Sequence, residues 1–437
     1  MNTLAARKTR SRPRNETTSE NSKVAARDEV SPTRSKGLTK TNSSNPMSLV
    51  LGSLLLLVLA YFYHKDGSLS LDHTSLKNAK AVSVTNAKPT AASEKPATSS
   101  ATNKKGPLKF VTIVIPSVVN PKKRQRRLEA ITDTWGPASR SIYVVHNLED
   151  EYPNSLDSAA AWPQILQVPK NITFNDGLPR LYFIIRQMYK DYDADFYYFA
   201  NDHTYVIPEH LCYYLQNQDP NLDMYAGHAL KNQLEAFNSG AAGYVLSRTT
   251  MRRLIESLDN TKDKNCIVEG DKWLQGNPGL VTAKCLHHSL DTPAIDTRQG
   301  GKYHRFHAFG IVRTVMGKVD DWYAKKHVNL GDSNGFDESY GHLLKGEDCC
   351  SAETISFHYV EFLETRALFQ IRKALLQNPS VSNSELQDMI IEKWPKEWGD
   401  LGGYSRGLPD PKQDTESWDA ILAVFRKISL KEYDLQC

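Results

Sequence analysis

Tyr197-Tyr198-Phe199-Ala200-Asn201-Asp202-His203-Thr204-Tyr205-Val206 is an apolar run that leads straight into three side chains able to hold a divalent metal. The aromatic residues predict a strand buried on both faces, of the kind found inside parallel sheets. Asn201, Asp202 and His203 then emerge at the carboxyl edge of the sheet, where α/β proteins bind ligands. A metal at that edge is suited to neutralise a diphosphate leaving group. The alternative is a strand-to-helix turn in which Asn201 and Asp202 only satisfy backbone groups.

Outward from this stretch, apolar runs and helical patterns alternate. Residues 110–116 read as an opening buried strand, 126–135 as a helix stopped at Gly136-Pro137, 141–145 as a second strand and 181–189 as a helix. That alternation predicts an α/β fold whose mostly parallel central sheet is covered by helices on both sides. Further on come a helix at 210–216, a small-residue loop at 238–243, a short strand at 244–246 and an amphipathic helix at 249–258. Ser382 and Glu385 form a capping-box signature ahead of a helix over 386–394.

Residues 47–63 are an apolar run broken only at Ser48, Gly52 and Ser53, at the short end of what a bilayer requires. Ten Lys and Arg residues precede it against four acidic ones, which predicts a cytosolic N-terminus and a lumenal remainder. A cleaved signal peptide is the alternative, but its basic region would be unusually long and no small-residue cleavage site follows. A short span suits a thin Golgi membrane. The expected organisation is a basic tail over 1–46, a single transmembrane anchor over 47–63 and a polar, aromatic-poor stem over 64–106. A globular head over 107–360 and a helical extension over 361–437 complete it. In an oxidising lumen the six cysteines are available to pair, and Asn171-Ile172-Thr173 is an N-glycosylation sequon. The formal charge of +4 owes much to the tail, so nucleic-acid binding is not indicated.

Five pieces of the head, in order, resemble the fringe-type β1,3-glycosyltransferases, and among these the core 1 β1,3-galactosyltransferases. They are the basic helix ending in Thr134-Trp135-Gly136, the stretch 196–206, and Asn238-Ser239-Gly240-Ala241-Ala242-Gly243-Tyr244-Val245-Leu246-Ser247. Asp296-Thr297-Arg298 leading to Arg305-Phe306-His307-Ala308-Phe309 is the fourth, and Cys349-Cys350-Ser351 with Ile355-Ser356-Phe357-His358-Tyr359-Val360 the fifth. The resemblance implies a nucleotide-diphospho-sugar transferase fold of the GT-A type, with UDP-galactose as donor, O-linked N-acetylgalactosamine glycoproteins as acceptors and Mn²⁺ as cofactor. A homodimer stays open.

The resemblance also distributes roles. Asp202 matches the middle carboxylate of the family's acidic triplet, Asn201 replaces the first and His203 the third. His307 matches the family's second metal ligand, so Asp202, His203 and His307 are the expected metal set, whereas His358 is expected to pack beside Phe357 and Tyr359. The family's general base lies in a Glu-Asp pair, here split into Glu269-Gly270-Asp271, with Asp271 preferred and Glu269 in reserve. Solvated loop carboxylates are the alternative for both. Cys266 and Cys285 bracket this loop and are expected to form a disulfide. Gly240 and Gly243 either admit the donor close to the backbone or simply make a tight turn. Trp322 and Tyr323 either offer an acceptor platform or belong to the core. Two functional alternatives stand beside the galactosyltransferase. One is another fringe-like hexosyltransferase; the other is a chaperone or binding paralogue that lost catalysis with its acidic triplet.

Overall fold

The computed structural model describes residues 107–145, 164–231, 235–260, 262–318, 323, 343–393 and 414–429. The apolar run at 47–63, the tail and the stem lie outside them, and no helix among the described residues is long and apolar enough to cross a membrane. The chain opens with β1 (Phe110–Ile115), α1 (Pro121–Thr132), β2 (Ser141–Val145), β3 (Gln164–Gln167), α2 (Gly177–Asp191) and β4 (Phe196–Asn201). There follow β5 (Tyr205–Val206), α3 (Pro208–Gln216), β6 (Tyr225–Gly227), β7 (Ala229–Lys231), β8 (Ala236–Asn238), β9 (Tyr244–Ser247) and α4 (Arg248–Asp259). The later elements are α5 (Lys272–Gln275), α6 (Pro278–Leu290), β10 (Phe306–His307), α7 (Ile311–Val315), β11 (Ser356–Phe357), α8 (Phe362–Gln377), α9 (Asn383–Lys393) and α10 (Thr415–Ser429).

Six strands form the main sheet in the order β3-β2-β1-β4-β9-β6. The first four are parallel, and β9 alone runs against its neighbours. The expected mostly parallel α/β sheet is therefore present. Because strand side chains alternate, β1 and β4 feed two cores. Phe110, Val114, Phe196, Tyr198 and Ala200 face one that α1, α8 and α10 cover through Leu128, Leu368 and Trp418. Val111, Ile113, Tyr197 and Phe199 face the other, covered by α2, α4 and α6 through Ile184, Met251 and Leu286. The helices after residue 360 thus share a core with the sheet.

Local chemistry explains the boundaries. Helix α1 begins at Pro121, upstream of the expected 126, because Asn120 accepts a hydrogen bond from Lys123 N and Pro121 tolerates the first helical position. At α9 the capping box forms as expected: Ser382 Oγ accepts from Glu385 N at 3.2 Å, while Ser382 N donates to Glu385 Oε2 at 2.8 Å. A second sheet, in the order β10-β11-β5, includes β5, which follows β4 across the turn at 202–204. It pairs His307 with Phe357 and Phe357 with Tyr205.

Candidate active site

At the carboxyl end of β4 the chain turns through Asn201-Asp202-His203-Thr204. Asp202 N donates to Ile115 O, Thr204 Oγ1 to Ala241 O and Val360 N to His203 O, so three separate segments fix the turn. Asp202 is 2% exposed, and its Oδ1 accepts from Ser117 N at 3.1 Å, Ser117 Oγ at 2.7 Å and Arg127 Nη1 at 3.0 Å. The same guanidinium forks onto Glu361, with Nε–Oε2 at 3.1 Å and Nη2–Oε1 at 2.7 Å. Burial alone would raise the Asp202 pKa, but the His203 hydrogen bond and the Arg127 charge prevail and hold it below the usual carboxylate range.

His203 Nδ1 lies 3.0 Å from Ser117 Oγ, and its ring meets His358 edge-on at 4.4 Å between centroids. Burial, with His203 alongside, holds His358 well below the ordinary imidazole value, leaving it neutral. Asp202 Oδ2 and His358 Nε2 are both buried with no hydrogen-bond partner among the described residues. A carboxylate oxygen and the neutral His358 imidazole are donors of the kind a first-row divalent ion takes, although Asp202, His203 and His358 do not bring three donor atoms within 4.8 Å of one another.

His307 is placed differently from expectation. It stacks on Phe357 at 4.6 Å, its Nε2 is 3.3 Å from Thr354 Oγ1, and burial among His304 and His228 keeps it neutral. His307 is held by its pairing and stacking with Phe357, while the next residue, His358, just past the end of β11, meets His203. The structure brings His203 against His358, while His307 stacks in the small sheet with its Nδ1 buried and without a hydrogen-bond partner among the described residues. Residue spacing gave no signal for this, because the contact depends on β11 pairing with β5.

Beside the turn lies a cavity of about 440 Å³ lined by Ile115, Asn201, Gly240, Tyr244, Trp273 and Asn277, among others. Arg180 from α2 stands in the same wall. A Cβ on Gly240 would meet nothing within 4 Å, whereas Gly243 has φ of +87° and a Cβ there would lie 2.3 Å from Tyr198 Oη. The Gly243 constraint is thus packing against β4 rather than contact with a donor. Gly243→Ala should cost roughly 2–3 kcal/mol, combining left-handed strain with overpacking, and lower the denaturant midpoint; an unchanged midpoint would refute this.

Asp271 is exposed and caps α5, its Oδ1 accepting from Trp273 N and Leu274 N at 3.0 Å each. Glu269 is also exposed. The short helix that Asp271 starts carries Trp273 into the cavity wall. Cys266 and Cys285 form the expected disulfide, which ties this loop to α6, and Cys349 bonds its neighbour Cys350. Tyr323 is fully buried, with its hydroxyl 3.0 Å from His228 Nε2 and its ring against Phe309, so it belongs to the core and not to an acceptor platform. Trp322 lies outside the described residues. Asn171 is exposed in a turn before α2. Arg127, Arg180 and Glu361 are candidate site residues that sequence reasoning passed over; His358 packs against Tyr359 as expected, at 3.8 Å between ring centroids, and also meets His203.

No family model matches the chain. Over 173 residues it is 27% identical to glycoprotein-N-acetylgalactosamine 3-beta-galactosyltransferase 1 of Xenopus laevis, covering 38% of this chain and 42% of that protein. Over 118 residues it is 28% identical to chondroitin sulfate glucuronyltransferase of Homo sapiens, covering 26% of this chain and 14% of that protein. The chain thus spans less than half the length of these curated relatives. Both are glycosyltransferases, and the chain's kinship is consistent with the β1,3-glycosyltransferase superfamily that its motifs resemble.

Proposed function

We propose that the chain is an inverting transferase that moves galactose from UDP-galactose to O3 of N-acetylgalactosamine on O-linked glycoproteins. The observation that carries this reading is the Asp202-His203 turn at the carboxyl end of β4, beside a cavity in the size range of small-molecule sites. Asp202, His203 and His358 would hold a divalent ion such as Mn²⁺, which when bound stabilises charge on the departing diphosphate. Asn201 and Gly240 would contact the nucleotide sugar, and the Arg180 guanidinium is suited to a phosphate. Asp271 takes the proton of the acceptor hydroxyl. Its Oδ1 is held by two amides, which leaves Oδ2 as the accepting atom. The acceptor oxygen bonds to the anomeric carbon as the bond from that carbon to the phosphate oxygen breaks, and the configuration inverts. Glu269 is the reserve base. A Golgi anchor over 47–63 and a glycan on Asn171 accompany this reading.

Two observations favour alternatives. The kinship to a glucuronyltransferase favours a different hexose for the same chemistry. The Arg127 guanidinium on Asp202 Oδ1 already supplies a cation at the turn, which favours a chaperone or binding protein that needs no metal.

UDP release from UDP-galactose by the full chain, with and without Mn²⁺ and a GalNAc-Ser/Thr acceptor, separates these. Release should require both additions and fall at least ~100-fold in Asp271→Asn, the loss typical of a missing general base. Asn is an equally good helix cap, so that loss would not reflect unfolding. A folded chain with neither turnover nor Mn²⁺-dependent UDP binding would overturn the transferase reading.

A further inference from the structure

We propose that Glu235, His287 and His288 form a second metal site, distinct from the Asp202 turn, that takes Zn²⁺ or a similar first-row divalent ion. Among the described residues they are the one group of three ligand-type side chains whose donor atoms all lie within 4.8 Å of one another. Glu235 is buried between β7 and β8, with Oε1 2.9 Å from His287 Nδ1 and Oε2 2.7 Å from His288 Nε2. Its Oε1 also accepts from Ala236 N at 3.0 Å, so the carboxylate is oriented by its own backbone.

Consecutive residues on a helix project about 100° apart, so His287 and His288 in the last turn of α6 would ordinarily diverge. Here they converge, with rings stacked at 4.4 Å, by presenting different nitrogens: the near Nδ1 of one and the far Nε2 of the other. Two imidazole nitrogens with one carboxylate disfavour Ca²⁺ and Mg²⁺ and suit zinc. Both imidazoles are nearly half exposed, at 42% and 46% of their side-chain surface, so water can complete the coordination. Donors around a tetrahedral zinc sit about 3.3 Å apart, which the present 2.9 Å and 2.7 Å spacings reach by a small opening of two half-exposed rings. No described cysteine is free to compete for the ion.

The ion would clip the β7–β8 hairpin to the C-terminal end of α6. Both elements flank the cavity, through Phe237 two residues beyond Glu235 and through Pro278 and Leu280 at the other end of the helix. The clip therefore fixes a cavity wall without entering the site of transfer.

The test is calorimetric Zn²⁺ titration of the tag-free full chain after chelator treatment, with Co²⁺ substitution read by visible absorption. Uptake of one equivalent should persist in Asp202→Asn/His358→Gln and weaken more than ~100-fold in Glu235→Gln, beyond what second-shell changes cost. Glu235→Gln keeps the shape and the Ala236 hydrogen bond; should it fail to fold, His288→Gln on the exposed side makes the same comparison. Zn²⁺ uptake that survives both Glu235→Gln and His288→Gln, or a folded wild type that takes up none, would overturn the site.

Discussion

Arg127→Met should destabilise the fold by about 3–5 kcal/mol, the cost of leaving buried charges without their partner. The guanidinium is 3% exposed and serves two carboxylates, Asp202 and Glu361, whose side chains are 0% and 11% exposed. Methionine fills the channel but supplies no charge, so Asp202 keeps only Ser117 and His203 while Glu361 keeps Lys123 at 2.9 Å. Arg127→Met/Asp202→Asn should recover part of the loss, because the second change removes the stranded charge; a double-mutant cycle on urea midpoints measures that coupling. A single-variant loss under ~1 kcal/mol would mean the pair is solvated and the buried network does not hold the turn.

The same cycle bears on chemistry. Asp202 has two oxygens, and the guanidinium occupies one while the other is buried with no hydrogen-bond partner among the described residues. Arg127 thus orients the carboxylate and depresses its pKa without using the atom a ligand would take. If Arg127 were instead the cation that made a metal dispensable, its removal should strengthen divalent-ion binding at the turn.

Much of the frame was legible because it rests on short-range pattern. The runs at β1, β2 and β4 are continuous and apolar, so burial on both faces followed from composition, and the alternation with helices gave the parallel order. The antiparallel β9 emerged only as a strand, since nothing local sets its direction. The site was half legible: the turn after β4 and the cavity loop at Gly240 stand in contiguous sequence. His358 was not, because its approach to His203 spans 155 residues and depends on a three-stranded sheet made of two-residue strands, too short for any periodicity. The resemblance favoured His307 for the same reason, matching its position in a motif while the pairing of β10 with β11 turned it toward Phe357. The adjacent pair His287-His288 was visible in the chain, but its partner Glu235 lies 52 and 53 residues away.

Glu364→Gln should flatten a large part of the alkaline loss of stability. Glu364 is 1% exposed on α8, and Oε2 has no hydrogen-bond partner among the described residues. Burial pushes its pKa up to about 8, with a backbone hydrogen bond at Glu361 opposing and the Glu361 charge adding to the rise. The folded value lies above the unfolded one, so the folded state favours the protonated acid. That contribution is whole below the unfolded pKa near 4.5 and is lost as pH rises toward 8, at about 1.4 kcal/mol per unit. Glutamine is neutral throughout and nearly isosteric. Between pH 5 and 8 the wild type should therefore lose about 3.5 kcal/mol more than Glu364→Gln, measured as the difference in their urea-derived stabilities across that window. Asp202 and Glu361 act in the opposite direction: their depressed values contribute stability that is lost as pH falls through the acid range. The two effects occupy separate windows, so parallel curves for wild type and variant from pH 5 to 8 would show that Glu364 ionises at its ordinary value and that its end of α8 is open to water.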